Sequence, residues 1–268
     1  MSLSIRELDE IEDLRELAEL FAVVWGRPGE PPINSDILKA LAHSGNYVSG
    51  SYVDMKLVGG LVGWFGGVPP HELHMHSHIL GVLSGSDAQG LGSELKQHQR
   101  RWCLARDVKV MEWTTDPLIR RNAYFNLTKL GAQAREYLVN VYGYMRDEIN
   151  AGEESDRLLI NWLLDSESAV AAAAGRGLEP SIDDLRRDGA AVALSVGDAG
   201  EPVVLSSSAR VLLCQVPDDI VALRRSDPPL ARSWRMAQRK TFTDAMAAGF
   251  EVSGATRSGW YVLQTGAN

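Results

Sequence analysis

The stretch from Ile79 to Ser93 constrains this chain more than any other. Ile79-Leu80-Gly81-Val82-Leu83 reads as a strand, Ser84 to Gln89 as a loop of mostly small residues, and a helical pattern opens at Gly90. Gly90 and Gly92 let a ligand approach the backbone without interference from a Cβ. The N–H groups of a helix's first turn have no partner within the helix and lie at its positive end, which favours a phosphate there. A plain tight turn has the same strand-glycine-helix order, so the surroundings have to choose between the two readings.

Around this stretch the periodicities give strands at Leu3 to Leu8, Tyr47 to Val53, Leu57 to Phe65, His71 to Leu83, Val108 to Thr114 and Ala134 to Val141. They give helices at Glu10 to Trp25, from after Asn34 or Ser35, either of which can cap it, to His43, at Gly90 to Arg106 and at Leu118 to Leu130. Three successive strands in the middle form an antiparallel meander, followed by α/β alternation. A first domain over residues 1–150 and a C-terminal lobe over 151–268 are expected. In the lobe, Asp156 to Leu164 is an apolar, helix-like run. Ala190 to Val196, Pro202 to Leu205 and Val211 to Val216 are strand candidates, Leu230 to Ala248 is a long helix, and Phe250 to Gly254 and Trp260 to Gln264 are a closing pair.

Of the 268 residues, 45% are hydrophobic and 23% charged, which allows substantial cores. The net charge of -8 and the absence of any Lys/Arg-rich block argue against nucleic acid or an anionic membrane as partner. No apolar run reaches the ~20 residues that span a bilayer, and Met1 to Glu7 lack the pattern of a signal peptide. A cytoplasmic protein acting on a small molecule is expected. Cys103 and Cys214 are too few for a disulfide framework and have no metal-site spacing.

The chain resembles the GNAT superfamily of N-acyltransferases. The family's acyl-CoA loop reads Val-x-Pro-x-x-Arg/Gln-x-x-Gly-x-Gly/Ala, and Val82, Gly90 and Gly92 fall in register with it. Asp116 to Ala132, with Lys129-Leu130-Gly131, resembles the family's fourth helix. Asp116-Pro117-Leu118, Asn122 to Leu127, residues 139–145 and Ser155-Asp156-Arg157 look like a little-studied bacterial branch of predicted members. The resemblance implies an α/β (α+β) fold with a mixed, mostly antiparallel sheet flanked by helices. It also implies an acyl-CoA-dependent N-acyltransferase that moves acetyl, or a larger acyl group such as succinyl, to the amine of a small molecule, which could be an amino acid, by direct attack. Acetyl-CoA or another acyl-CoA is then the co-substrate, without a metal, and Val82, Leu83, Gln89, Gly90, Leu91, Gly92, Ser93 and Asn126 are the cofactor-binding residues.

His74, His76 and His78 alternate along one strand and share a face. Imidazole, with a pKa near ~6.5, suits deprotonation of an amine near neutral pH. His76 lies six residues before Val82, where several members of the family carry a basic glutamate, so the resemblance makes it the first candidate base and His78 the second. The same strand could hold zinc, or its histidines could simply be satisfied at a sheet surface. Many members protonate the leaving thiolate with a tyrosine four residues before the glycine ending the fourth helix. That place is Leu127, and Tyr124, one turn earlier, is the substitute. The family's Pro is Ser84 and its Arg/Gln is Asp87, a carboxylate unfavourable beside a diphosphate unless it faces solvent.

These departures support an alternative, a catalytically weak GNAT-fold binding or regulatory protein. Lys96, Arg100 and Arg101 either reach a phosphate or form a solvated helix face. Ser155 or Asp156 is a helix-cap candidate. Arg235 and Arg239 share a helix face and either grip a carboxylate of the acceptor or form surface ion pairs. The lobe completes the acceptor site, or it serves as a cover or a homodimer contact through Trp234, Phe242 and Phe250.

Overall fold

The computed structural model describes residues 2–67, 72–85, 90–144 and 153–265. Two compact units emerge from the packing, Met1–Trp113 and Thr114–Asn268. The sequence division near residue 150 does not coincide with this boundary.

The first unit runs β1 (Leu3–Glu7), α1 (Ile11–Val24), α2 (Ser35–His43), β2 (Tyr47–Val53), β3 (Lys56–Gly66), β4 (His74–Val82), α3 (Leu91–Leu104) and β5 (Val110–Thr115), the last crossing the boundary. Its strands lie in sequence order, antiparallel from β1 to β4, with β5 parallel to β4. This is the expected mixed, mostly antiparallel sheet. Leu14, Leu17 and Phe21, at helical spacing on α1, join Leu38 of α2 over Val48, Val62 and Ile79 of the sheet. The Asn34 side chain caps α2 by accepting the Ile37 N–H at 3.0 Å. At Gly60 a Cβ would lie 2.2 Å from Cδ1 of Leu17, so α1 rests on the bare backbone of β3. Successive strand residues point to opposite faces, and α3 occupies the second face, where Trp102 packs edge-on against Tyr47 at 5.3 Å and stacks on Phe65 at 5.6 Å.

The second unit contains β6 (Gln133–Leu138), β7 (Arg157–Leu163), β8 (Ala191–Val196), β9 (Pro202–Val204), β10 (Val211–Gln215), β11 (Phe250–Ala255) and β12 (Trp260–Thr265), in the spatial order β7-β6-β11-β12-β10-β8-β9. Its helices are α4 (Arg120–Ala123), α5 (Glu167–Ala173), α6 (Ile182–Arg187), α7 (Ile220–Ser226) and α8 (Pro228–Ala247). Asp227 caps α8 by accepting the Leu230 N–H, with Pro228 opening the helix.

Several expectations change here. The apolar run read as helix-like is strand β7, paired antiparallel with β6 from Arg157 opposite Leu138 to Asn161 opposite Gln133. A short apolar run does not reveal its period, and pairing with β6 decided it. The helix expected from Leu118 to Leu130 is a single α-turn that widens into a π-helix over Tyr124–Lys129. Helices α6 and α7 were not anticipated. Trp234 and Phe242 are fully buried inside this unit, so they are not available as dimer contacts. Trp234 donates its indole N–H to the Gly200 carbonyl at 2.8 Å, and Phe242 packs edge-on against Tyr261.

Ser155 and Asp156 cap no helix. The Asp156 carboxylate accepts from the Tyr137 hydroxyl at 2.8 Å, from the Asn140 N–H and from both Nε and Nη2 of Arg239, which also pairs with Glu154. Arg235 is 2% exposed and binds Asp116 and Glu153. The two arginines therefore meet the chain's own carboxylates, with Arg235 as a buried pair and not a surface one.

Asp116 collects Arg224 at 2.6 Å, Arg235 at 3.3 Å and Arg157 at 3.9 Å, tying α7, α8 and β7 to the turn after β5. Burial alone would raise its carboxyl, but the guanidinium groups of Arg235, Arg224 and Arg157 and the Leu118 N–H outweigh that and hold it at about 2. A depressed carboxyl stabilises the fold above its unfolded value, and the contribution disappears as pH falls from about 4 through about 2. Asp116→Asn should therefore cost about 3–5 kcal/mol at pH 7, because three buried cations lose their common partner, and should remove most of the wild type's loss of stability over that acid interval. Denaturant unfolding between pH 7 and 2 checks both; equal stability of the variant and wild type at pH 7 would contradict the assignment.

Candidate active site

Two irregularities fall together on β4. Along its edge with β3 the register slips: Val62 faces Ile79 and Gly63 faces Ser77, which leaves His78 as the extra residue of a bulge. Along its other edge, pairing with β5 is limited to Met75 opposite Met111 and His76 opposite Glu112. Ser77 and Trp113 are the first residues past that pairing, and from there β4 and β5 part. The C-terminal end of β4 leads from Val82 and Leu83 towards α3. Gly90 is the N-cap of α3, with φ +88°, and has no side chain with which to cap the helix. A residue with a Cβ is strained at that φ even though the space is open.

On the face opposite α3, the Trp64 ring lies 4.9 Å from that of His76 and 4.5 Å from that of His78, and the two imidazoles are 5.7 Å apart. Glu112, the cross-strand neighbour of His76, brings its carboxylate within 3.7 Å of His74 Nε2. Burial, followed by the neighbouring His78, His74 and Lys96, lowers His76 to about 4. It is thus a neutral imidazole at physiological pH, able to accept a proton.

On the α3 face lies a group that the sequence reading placed elsewhere. Lys96 is neither a phosphate ligand at the surface nor part of a solvated face, being 3% exposed. Its Nζ donates to Ser77 Oγ at 2.8 Å, lies 3.9 Å from Met111 Sδ and sits 3.5 Å from the centre of the Trp113 ring. Ser77 Oγ in turn donates a hydrogen bond to Gln99 Oε1 at 2.8 Å. Burial pushes the ammonium well below the usual lysine value.

Of the expected cofactor residues, Val82 ends β4, and Leu83 donates its N–H to the Val58 carbonyl. Leu91, Gly92 and Ser93 form the first turn of α3, where the Ser93 N–H already bonds to the Gly90 carbonyl at 2.8 Å. Gln89 and Asp87 lie outside the described residues. Tyr124 and Asn126 belong to the second unit, in the π-helix. Tyr124 is half-buried with the Arg257 guanidinium 4.9 Å from its ring centre, while Asn126 and Leu127 are buried. Among the described residues no cluster of three or more His, Cys, Asp or Glu could hold a metal, and no helix is long and apolar enough to cross a membrane.

The sequence reading missed Glu112, Trp64 and the burial of Lys96. Glu112 carried a signal, as a charged residue alternating with Met111 and Trp113 in a strand. The state of His76 leads to a direct measurement. Its imidazole NMR signals should hold their neutral positions from pH 8 to 5 and move with a midpoint near 4; a midpoint near ~6.5, the value of a free histidine, would contradict the burial described.

No family model matches the chain, and no curated protein matches it. Solved structures do. An N-acetyltransferase from Staphylococcus aureus shares 15% identity over 62% of this chain and 100% of that one, with TM-score 0.50. A GNAT-family acetyltransferase from Streptococcus pneumoniae gives 18%, 60%, 99% and 0.49. A putative acetyltransferase from Salmonella typhimurium, solved with acetyl-CoA, gives 15%, 62%, 96% and 0.49. Likeness at such identity is one of fold, and over 62% of this chain the fold is that of the N-acetyltransferase from Staphylococcus aureus.

Proposed function

We propose that the protein is an acyl-CoA-dependent N-acyltransferase working in the slot between β4 and β5. The carrying observation is that the two strands pair for only two residues and then part towards the uncapped N-terminus of α3. Backbone groups on the parted edges need partners, and the amides of a pantetheine arm lying between the strands would supply them. The diphosphate would rest on the first turn of α3, with Gln89, Gly90, Leu91, Gly92 and Ser93 around it. From Val82 back to Ser77 is five residues, or about 17 Å of strand, the order of an extended pantetheine arm. The thioester would then reach the apex of the slot.

There the bulge at His78 would turn a backbone N–H towards the thioester carbonyl and polarise it. The acceptor amine would approach on the face of Trp64 and Glu112, and neutral His76 would take the proton it loses. For the departing thiolate the resemblance offers Tyr124 or solvent as the proton source, and Asn126 as a pantetheine contact. Acetyl and larger acyl groups such as succinyl are both compatible, as are free amino acids and other small amines.

Acyl-CoA binding and transfer are separable by mutation. Gly90→Val should abolish acetyl-CoA binding in calorimetry while the circular dichroism stays native. His76→Ala should lower kcat by roughly 10²-fold or more with little change in acetyl-CoA affinity, and His78→Ala is the control on the same face. Wild-type affinity in a folded Gly90→Val protein, or a wild-type rate in His76→Ala across a panel of amines, would overturn the corresponding assignment. Acetyl-CoA binding without transfer to any amine would favour the alternative of a GNAT-fold binding protein, for which buried Leu127 in the place of the family's tyrosine speaks.

A further inference from the structure

We infer that Lys96 is the acid that protonates the departing thiolate, so that base and acid act from opposite faces of the sheet across the apex of the slot. The inference rests on the acyl-CoA reading of that slot and goes beyond it.

The geometry is specific. Ser77 and Trp113 are the first residues past the last β4–β5 pair, and Lys96 reaches both, at 2.8 Å to Ser77 Oγ and 3.5 Å to the centre of the Trp113 ring. Its Nζ therefore closes the apex from the side of α3, while His76 and Glu112 border the same apex from the other side. Among the described residues no carboxylate pairs with this cation. The groups facing it are Ser77 on β4, Met111 and Trp113 on β5, and Cys103 on its own helix.

Burying a lysine without a counter-ion is costly, and neither packing nor substrate positioning in the described site needs an ammonium there. A leaving group that develops negative charge at the apex does. As the C–N bond forms and the C–S bond breaks, the electron pair stays on sulfur. The Lys96 ammonium gives sulfur a proton, leaving CoA thiol and a neutral amine that regains its proton from solvent after release. The proton lost by the acceptor leaves through His76. Burial weakens Lys96's hold on its proton, which favours transfer to the sulfur.

The test compares CoA with desulfo-CoA, which lacks the sulfur, by calorimetry at pH 8 on wild type, Lys96→Met and Tyr124→Phe. Wild type should prefer CoA by about tenfold, the scale of a hydrogen bond to a charged group. Lys96→Met should lose that preference while keeping its affinity for desulfo-CoA, and its kcat should fall about 10²-fold with unchanged KM for acetyl-CoA. A Tyr124→Phe protein that loses the preference while Lys96→Met keeps it would assign the proton to the tyrosine and overturn the inference. A merely structural lysine would move both affinities together, and that result, or an unchanged preference in Lys96→Met, would overturn the inference. Failure of wild type to bind either ligand would instead overturn the acyl-CoA reading.

Discussion

The parting of β4 from β5 depends on what lies around its apex. Met75–Met111 and His76–Glu112 hold the strands together, and immediately beyond them the chain places polar groups where a continuing sheet would carry apolar ones. On the α3 side these are Ser77, Gln99 and Lys96, bonded in series. The bulge at His78 adds local twist to β4 just past that point, which turns the strand away from its parallel neighbour. Gly63 makes room for this chain: a Cβ there would lie 2.7 Å from Gln99 Nε2 and 2.8 Å from the Met75 sulfur.

The two faces of the apex differ in kind. On one side His76 is kept neutral by burial and by like neighbours, beside a carboxylate and an indole. On the other the Lys96 side chain is enclosed by a hydroxyl, a thioether and an aromatic ring. Cation–π contact and one hydrogen bond offset part of the desolvation of Lys96, and the rest is stored where new negative charge would relieve it. The second unit treats its charges differently: Asp116, Glu153, Glu154 and Asp156 each meet arginine at short range, and these pairs serve cohesion.

Much of the first unit was legible in the sequence because its elements are local and strongly patterned. β2 was read with its observed limits, and α1 and α2 to within one residue, from the apolar stripe and the Asn34 cap. Gly90, read as opening the third helix, is its N-cap, and the structure shows it at a positive φ. The burial of Lys96 was not legible, since a lysine between polar helix residues carries no sign of what packs on it. β7 was misread because seven apolar-rich residues take their conformation from β6, a partner 19 to 28 positions away. Arg235 and Arg239 announced a shared helix face, but their carboxylates come from Asp116, Glu153, Glu154 and Asp156, a pairing set by tertiary structure alone.

The central claim is that acyl-CoA lies between the parted strands, and hydrogen exchange of the backbone amides, resolved by residue with and without acetyl-CoA, tests it most directly. The account predicts slowed exchange at Ser77 to Val82 on β4 and in the first turn of α3 from Leu91, with α8 and the strands of the second unit beyond β7 unchanged. Tight binding of acetyl-CoA with no protection along Ser77 to Val82 would contradict it.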